Sequence, residues 1–171
     1  MPDRVVVFLD AQNIYKGARE CFFSRTAPFT DGQVDPHALA QLLVGRRNTA
    51  SELEQVRIYT GQPDASKQPK GYGASRKQYA AWRARGVEVV ARPLRYPPDF
   101  PTSKPEEKGI DVQLAIDFIA CALDDAYDAA ILFSSDTDLG SCAQLHDRAL
   151  PRQGVGGRSV GGKKTLVYRA A

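Results

Sequence analysis

Four aspartates stand where chemistry could use them. Asp136 and Asp138 lie one residue apart in Ser134-Ser135-Asp136-Thr137-Asp138, directly after the apolar run Ala129-Ala130-Ile131-Leu132-Phe133. Like charges held this close repel, and a divalent cation between them relieves the repulsion. Asp10 ends a second apolar run, Val5-Val6-Val7-Phe8-Leu9, and Asp111 follows Lys108-Gly109-Ile110 at an expected helix start. Carboxylate and hydroxyl donors suit Mg²⁺ or Mn²⁺ rather than zinc. An ion so held lowers the pKa of a bound water and polarises a phosphate oxygen, which is the chemistry of phosphodiester hydrolysis.

Each acid also has a structural reading. Aspartate favours helix N-termini by capping free amides and meeting the dipole, which would account for Ser135, Asp136 or Asp111 taken singly. Asp10 alone would pass as a turn residue after a strand. Asn13 could cap the next helix, or aim its amide at a phosphate or at Asp10. Asp117 is read as structural. Lys16, Arg76 and Lys108, with Arg19, Lys67, Lys70 and Lys77, could line the route of a phosphate backbone, though any one of them also reads as a solvated charge. Tyr15, Tyr72 and Trp82 could stack on bases or simply pack.

The elements that must position these residues alternate. Val5 to Leu9 is β-branched and wholly apolar, the mark of a strand covered on both faces. Ala11 to Glu20 reads as a loop entering a helix, and Cys21 to Gly32 as a loop insertion. Asp35-Pro36 opens a helix, with Asp as cap and Pro at the first helical position. Val56 to Thr60 and Val87 to Ala91 are further strands. Between them come a polar loop from Gly61 to Gly73 and a helix from Ala74 to Arg85, ended by Gly86. Pro93 to Pro105 carries five prolines and reads as a loop or lid. Asp111 to Ala126 is the clearest amphipathic helix, with Val112, Ala115, Ile116, Ile119 and Leu123 at helical spacing. A helix from Cys142 to Ala149 follows the fourth strand, Ala129 to Phe133. Residues 1–150 are therefore read as one domain, and 151–171 as a glycine-rich basic tail that offers a last strand at Leu166-Val167-Tyr168.

Strands alternating with helices predict βαβ units and a mostly parallel sheet. Ligands of such sheets bind at the carboxyl ends of the strands, where strand order reverses. That rule brings Asp10 and Asp136 to one place although they are far apart in sequence.

With 171 residues, 43% hydrophobic and 25% charged, one globular domain with a real core is expected. A net charge of +3 permits a polyanionic partner without demanding one. Cys21, Cys121 and Cys142 show no metal or disulfide spacing and are read as small buried hydrophobes of a reducing cytosol. Met1-Pro2-Asp3-Arg4 runs straight into a strand-like segment, so no signal peptide is expected, and no run is long enough to span a bilayer. His37 and His146 have no partner at ligand spacing. Gly157 to Lys163 imitates a phosphate-binding loop, but Lys164 stands where Ser or Thr should bind Mg²⁺.

Three ordered segments resemble the NYN group of the PIN-like nuclease superfamily, in its LabA-like branch. They are Phe8-Leu9-Asp10-Ala11-Gln12-Asn13, Lys108 to Asp117, and Tyr127 to Leu139. The resemblance implies a Rossmann-like, three-layer α/β/α sandwich with a central mostly parallel sheet. It also implies a pocket binding Mg²⁺ or Mn²⁺ and hydrolysis of RNA, less often of single-stranded DNA. By position, Asp10, Asp111, Asp136 and Asp138 match the family's catalytic, metal-holding acids. Asn13 matches its polar helper, and Ser135 sits beside the acids. Lys16, Lys108 and Arg76 join Asn13 and Ser135 as expected substrate contacts. Ala11 and Ser135 stand where relatives often have Gly. The chain after Asp147 leaves the family's usual strand pattern. A cytoplasmic ribonuclease, able to form a homodimer and without membrane attachment, is the expectation. Two other readings stay open: a nucleic-acid-binding or regulatory module with weak or no catalysis, and a metal-dependent phosphatase. The phosphatase would want its Asp-x-Asp pair at the first strand rather than the fourth.

Overall fold

The computed structural model describes residues 1–134 and 164–168. Strands β1 (Asp3–Asp10), β2 (Ser51–Gln62), β3 (Val87–Pro93), β4 (Ala129–Phe133) and β5 (Lys164–Tyr168) form one sheet in the order β3-β2-β1-β4-β5. Every pairing is parallel. Helices α1 (Ala11–Phe22), α2 (Pro36–Gly45), α3 (Pro69–Ala84) and α4 (Ile110–Leu123) supply the outer layers. From β1 the chain steps to β2 and then β3, and it then returns across β1 to β4. Steps in opposite directions, each made by a right-handed crossover, put their helices on opposite faces.

The core follows that division. Val5, Val7 and Leu9 of β1 pack with Ile14, Ala40, Leu43, Val44, Val56 and Ile58 on the face of α1, α2 and α3. Val6 and Phe8 point the other way, onto Leu114, Phe118 and Tyr127. Period-two alternation with both faces apolar is what a central parallel strand requires. Phe8, Phe118 and Tyr127 meet edge-on or tilted, with centroids 5.1 to 6.2 Å apart. Asp35 caps α2 by accepting the N–H groups of His37 and Ala38, as Asp-Pro predicts, and pairs with Arg85 beyond α3.

Several expectations need correction. Val112, Ile116, Ile119 and Leu123 are exposed, and α4 instead buries Ile110, Leu114, Phe118 and Ala122. Two apolar stripes share helical spacing, and the aromatic side chains of β1 and Tyr127 select the second. No loop precedes α1: the helix starts directly after Asp10, which is itself the cap, so Asn13 is the capped residue. Pro69 to Gly73 belongs to α3, because Pro at the first helical position starts a helix well. Cys21 is exposed and Cys121 half-buried; Cys142, His146 and the predicted helix from Cys142 to Ala149 lie outside the described residues. The fifth strand is longer than its apolar core at Leu166 to Tyr168 and lies along β4. Among the described residues no helix is long and apolar enough to cross a membrane.

Candidate functional site

β1 and β4 are neighbours, yet the chain leaves them for opposite edges of the sheet, so their carboxyl ends form its switch point. Asp10 ends β1 there, 3% exposed. Its Oδ1 accepts the Asn13 backbone N–H at 3.0 Å and its Oδ2 accepts the Asn13 Nδ2 at 2.7 Å. The same Nδ2 donates to Ser134 Oγ at 2.9 Å. Ser134 is the residue after β4, so one carboxamide ties the two strand ends together.

Burial pushes the Asp10 carboxyl above the ordinary carboxylate range. The charge of Asp111 adds to that, while the N–H groups of Asn13 and Gln12 and the cation of Lys16 oppose it. Asp111 lies in the first turn of α4, exposed, behind a left-handed Gly109 at φ 73° that serves as the cap. Lys16 sits one turn along α1 and donates to Gln12 Oε1 at 2.9 Å.

A further acid belongs to this site that sequence patterns do not single out. Glu107 Oε1 accepts the backbone N–H of Gly61 at 2.7 Å. A Cβ at Gly61 would collide with the Leu94 side chain and with the Glu107 side chain, so any larger residue here would displace the Glu107 carboxylate. Burial also raises the pKa of Glu107, and the charges of Asp10 and Asp111 push it the same way; Lys16 lowers it. Asp10, Glu107 and Asp111 thus share one electrostatic environment, in which Lys16 is the opposing cation. Glu107 is hidden because it ends the proline-rich segment and lacks a strand or helix pattern. Its one signal is its place immediately before Lys108-Gly109-Ile110-Asp111.

The remaining expected residues divide. Lys108 is exposed beside Glu107. Arg76 lies on the exposed side of α3, its guanidinium on Tyr72, 5.9 Å from the ring centroid. Asp117 accepts from the Tyr59 hydroxyl at 3.0 Å and from Gln113 at 2.8 Å, which is a structural role. Ser135, Asp136 and Asp138 lie outside the described residues.

Donor chemistry at the site fits a hard divalent cation. A carboxylate offers about four lone-pair sites, and the two hydrogen bonds from Asn13 to Asp10 leave room for a ligand. Among the described residues, though, no three His, Cys, Asp or Glu side chains are grouped closely enough to hold an ion by themselves.

Comparison with known proteins agrees with this architecture. No curated protein matches the chain. A crystal structure of a protein of unknown function from Vibrio parahaemolyticus is similar in fold, with a TM-score of 0.61 at 20% identity. The match covers 98% of this chain and 82% of that one. The NYN domain profile matches residues 4–155. A parallel sheet with a buried acid at its switch point, matched over most of its length by that profile, makes this chain a member of the NYN domain family, with the fold of the PIN-like nucleases.

Proposed function

We propose that the protein is a metal-dependent nuclease that hydrolyses phosphodiester bonds in RNA, with Mg²⁺ or Mn²⁺ as its ion. The observation that carries this reading is Asp10: an almost wholly buried carboxylate at the switch point of a parallel sheet, oriented by Asn13 and facing the charges of Asp111 and Glu107. Burying such a group costs stability unless something compensates for its charge. Family membership supports nuclease chemistry on this fold.

Asp10 and Asp111, with Asp136 and Asp138 from the motif after β4, would hold the ion. When bound, a divalent ion supplies a more acidic water and neutralises charge on the phosphate. The chain's own residues do the rest. Asn13 fixes both oxygens of Asp10 and so its direction. Lys16 supplies positive charge at the rim, where a phosphate backbone would lie. Glu107, its pKa raised by burial and by the charges of Asp10 and Asp111, holds its proton to higher pH than an ordinary carboxylate does.

Labelled single-stranded RNA and a phosphate monoester, each with Mn²⁺ and with EDTA, test the reading alongside Asp10→Asn and Asp136→Asn. RNA cleavage that disappears in EDTA and in both variants is expected. Hydrolysis of the monoester alone would sink the proposal. RNA binding without cleavage would point to a regulatory module instead.

A further inference from the structure

Beside the acids, on the opposite side of β1 from α4, lies a cavity of about 190 Å³. Tyr15, Gln33, Thr60, Gln78, Trp82 and Glu107 line it. Glu107 therefore belongs both to this cavity and to the acidic site, and Ala11 and Gln12, which follow Asp10 directly, form part of the wall. No lysine or arginine among the described residues lines it, so it is not built for a phosphate.

Its polar groups are set in place before any ligand arrives. Gln78 Nε2 donates to Gln33 Oε1 at 2.6 Å, which fixes both amides and leaves the Gln33 NH₂ as donor beside the Gln78 oxygen as acceptor. Tyr79 donates its only hydroxyl proton to the Gly61 carbonyl at 2.6 Å. Thr60 must then be the donor in its 3.3 Å contact with Tyr79, which leaves its oxygen as an acceptor. Trp82 is stacked on Tyr79, with centroids 5.7 Å apart. Tyr15 is held by its hydrogen bond to the Phe29 carbonyl at 2.8 Å. Two aromatic side chains line the cavity together with an amide donor and with amide and hydroxyl acceptors, a lining that suits a flat heterocycle with mixed hydrogen-bonding edges. Pockets for larger ligands run from roughly 300 Å³ upward, so this one has room for a single ring system.

We propose that this cavity receives one nucleobase of the strand whose backbone crosses the acidic site, so that the protein cuts at a fixed offset from a base it has read. The proposal rests on the nuclease reading for its placement of the backbone. It adds a recognition step that the acids alone do not supply.

Trp82 is the one tryptophan in the chain, so its fluorescence reports on this cavity. The four nucleoside monophosphates and ribose 5-phosphate are titrated into the full-length protein in EDTA, so that no metal chemistry contributes. Saturable quenching by at least one nucleotide, absent with ribose 5-phosphate, is expected. The double variant Gln33→Ala with Gln78→Leu, checked for an unchanged melting temperature, should weaken that binding about tenfold or more. Equal quenching by ribose 5-phosphate, no saturable change with any nucleotide, or unchanged binding in a folded double variant would each overturn the proposal. RNA cleavage without nucleotide binding removes the base pocket and leaves the nuclease. Nucleotide binding without cleavage supports the pocket and removes the nuclease.

Discussion

The pair formed by β1 and β4 is closed differently at its two ends. At the amino end, Arg4 donates to Asp128 three times: from its backbone N–H at 2.9 Å, from Nε at 3.0 Å and from Nη2 at 3.1 Å. Arg47, its side chain 3% exposed, clamps Asp3 at 2.6 Å and also donates to Ser51 and Thr49. At the carboxyl end the same two strands are joined by the neutral amide of Asn13, between Asp10 and Ser134. Glu107 is held there by a backbone N–H rather than by a guanidinium. At the first end Asp3 and Asp128 each have an arginine that fits them. At the second end burial, and after it the charge of neighbouring acids, push the pKa of Asp10 and of Glu107 upward. Strand pairing needs only the first arrangement; the second costs stability and is what a cation-binding site requires.

Four substitutions bear on that contrast, in order of falling effect. Asp10→Asn removes the buried charge and turns one acceptor of Asn13 into a donor. Metal-dependent cleavage should fall at least about a hundredfold, measured as kcat/KM on labelled RNA. Comparable activity in the variant would show that the carboxyl end is not the reactive one. Arg47→Met unpairs Asp3 at the other end and should lower unfolding free energy by about 2 kcal/mol, measured in urea, with cleavage per folded molecule unchanged. A loss of activity there would blur the division of labour between the ends. Asn13→Ala severs the link from Asp10 to Ser134. It should cost about 1 kcal/mol of stability and weaken Mn²⁺ affinity roughly 10–100-fold, read by calorimetry.

Glu107→Gln has the smallest effect and the opposite sign. The folded pKa of Glu107 lies above its unfolded value, so its ionised form destabilises the fold. That cost is absent below the unfolded pKa and grows as pH rises through the folded one. The glutamine keeps an oxygen for Gly61 and removes the charge, so the variant should melt roughly 2–4 °C higher at neutral pH. The gap should close as the solution is made acidic. A gap that widens in acid would contradict the electrostatic account of this end.

Legibility in the sequence varies with how local the controlling interactions are. Ala129 to Phe133 is readable to the residue, because a wholly apolar run between polar flanks has few alternatives. The cap at Asp35 is readable because Asp-Pro acts over three residues. The buried face of α4 is not, since the helix offers one stripe through Ile116 and another through Leu114, and only packing on Phe8 and Tyr127 separates them. Asp10 and Asn13 are visible as candidates, but the bond that ties Asn13 to Ser134 crosses 121 positions. Glu107 is invisible for a related reason: what gives it meaning is the N–H of Gly61, 46 positions away.

What this sequence determines by itself is the alternation of strands and helices, and through it a parallel sheet whose carboxyl ends must carry Asp10 and the residues after Phe133. Periodicity and capping are set by neighbours along the chain, and the crossover rule turns them into topology. What only the tertiary structure decides is which side chains share a field: Glu107 beside Asp10, Asn13 across to Ser134, Trp82 over a cavity rather than wholly within the core. Burial and charge act over a few ångströms of space, and that distance is not written in sequence separation.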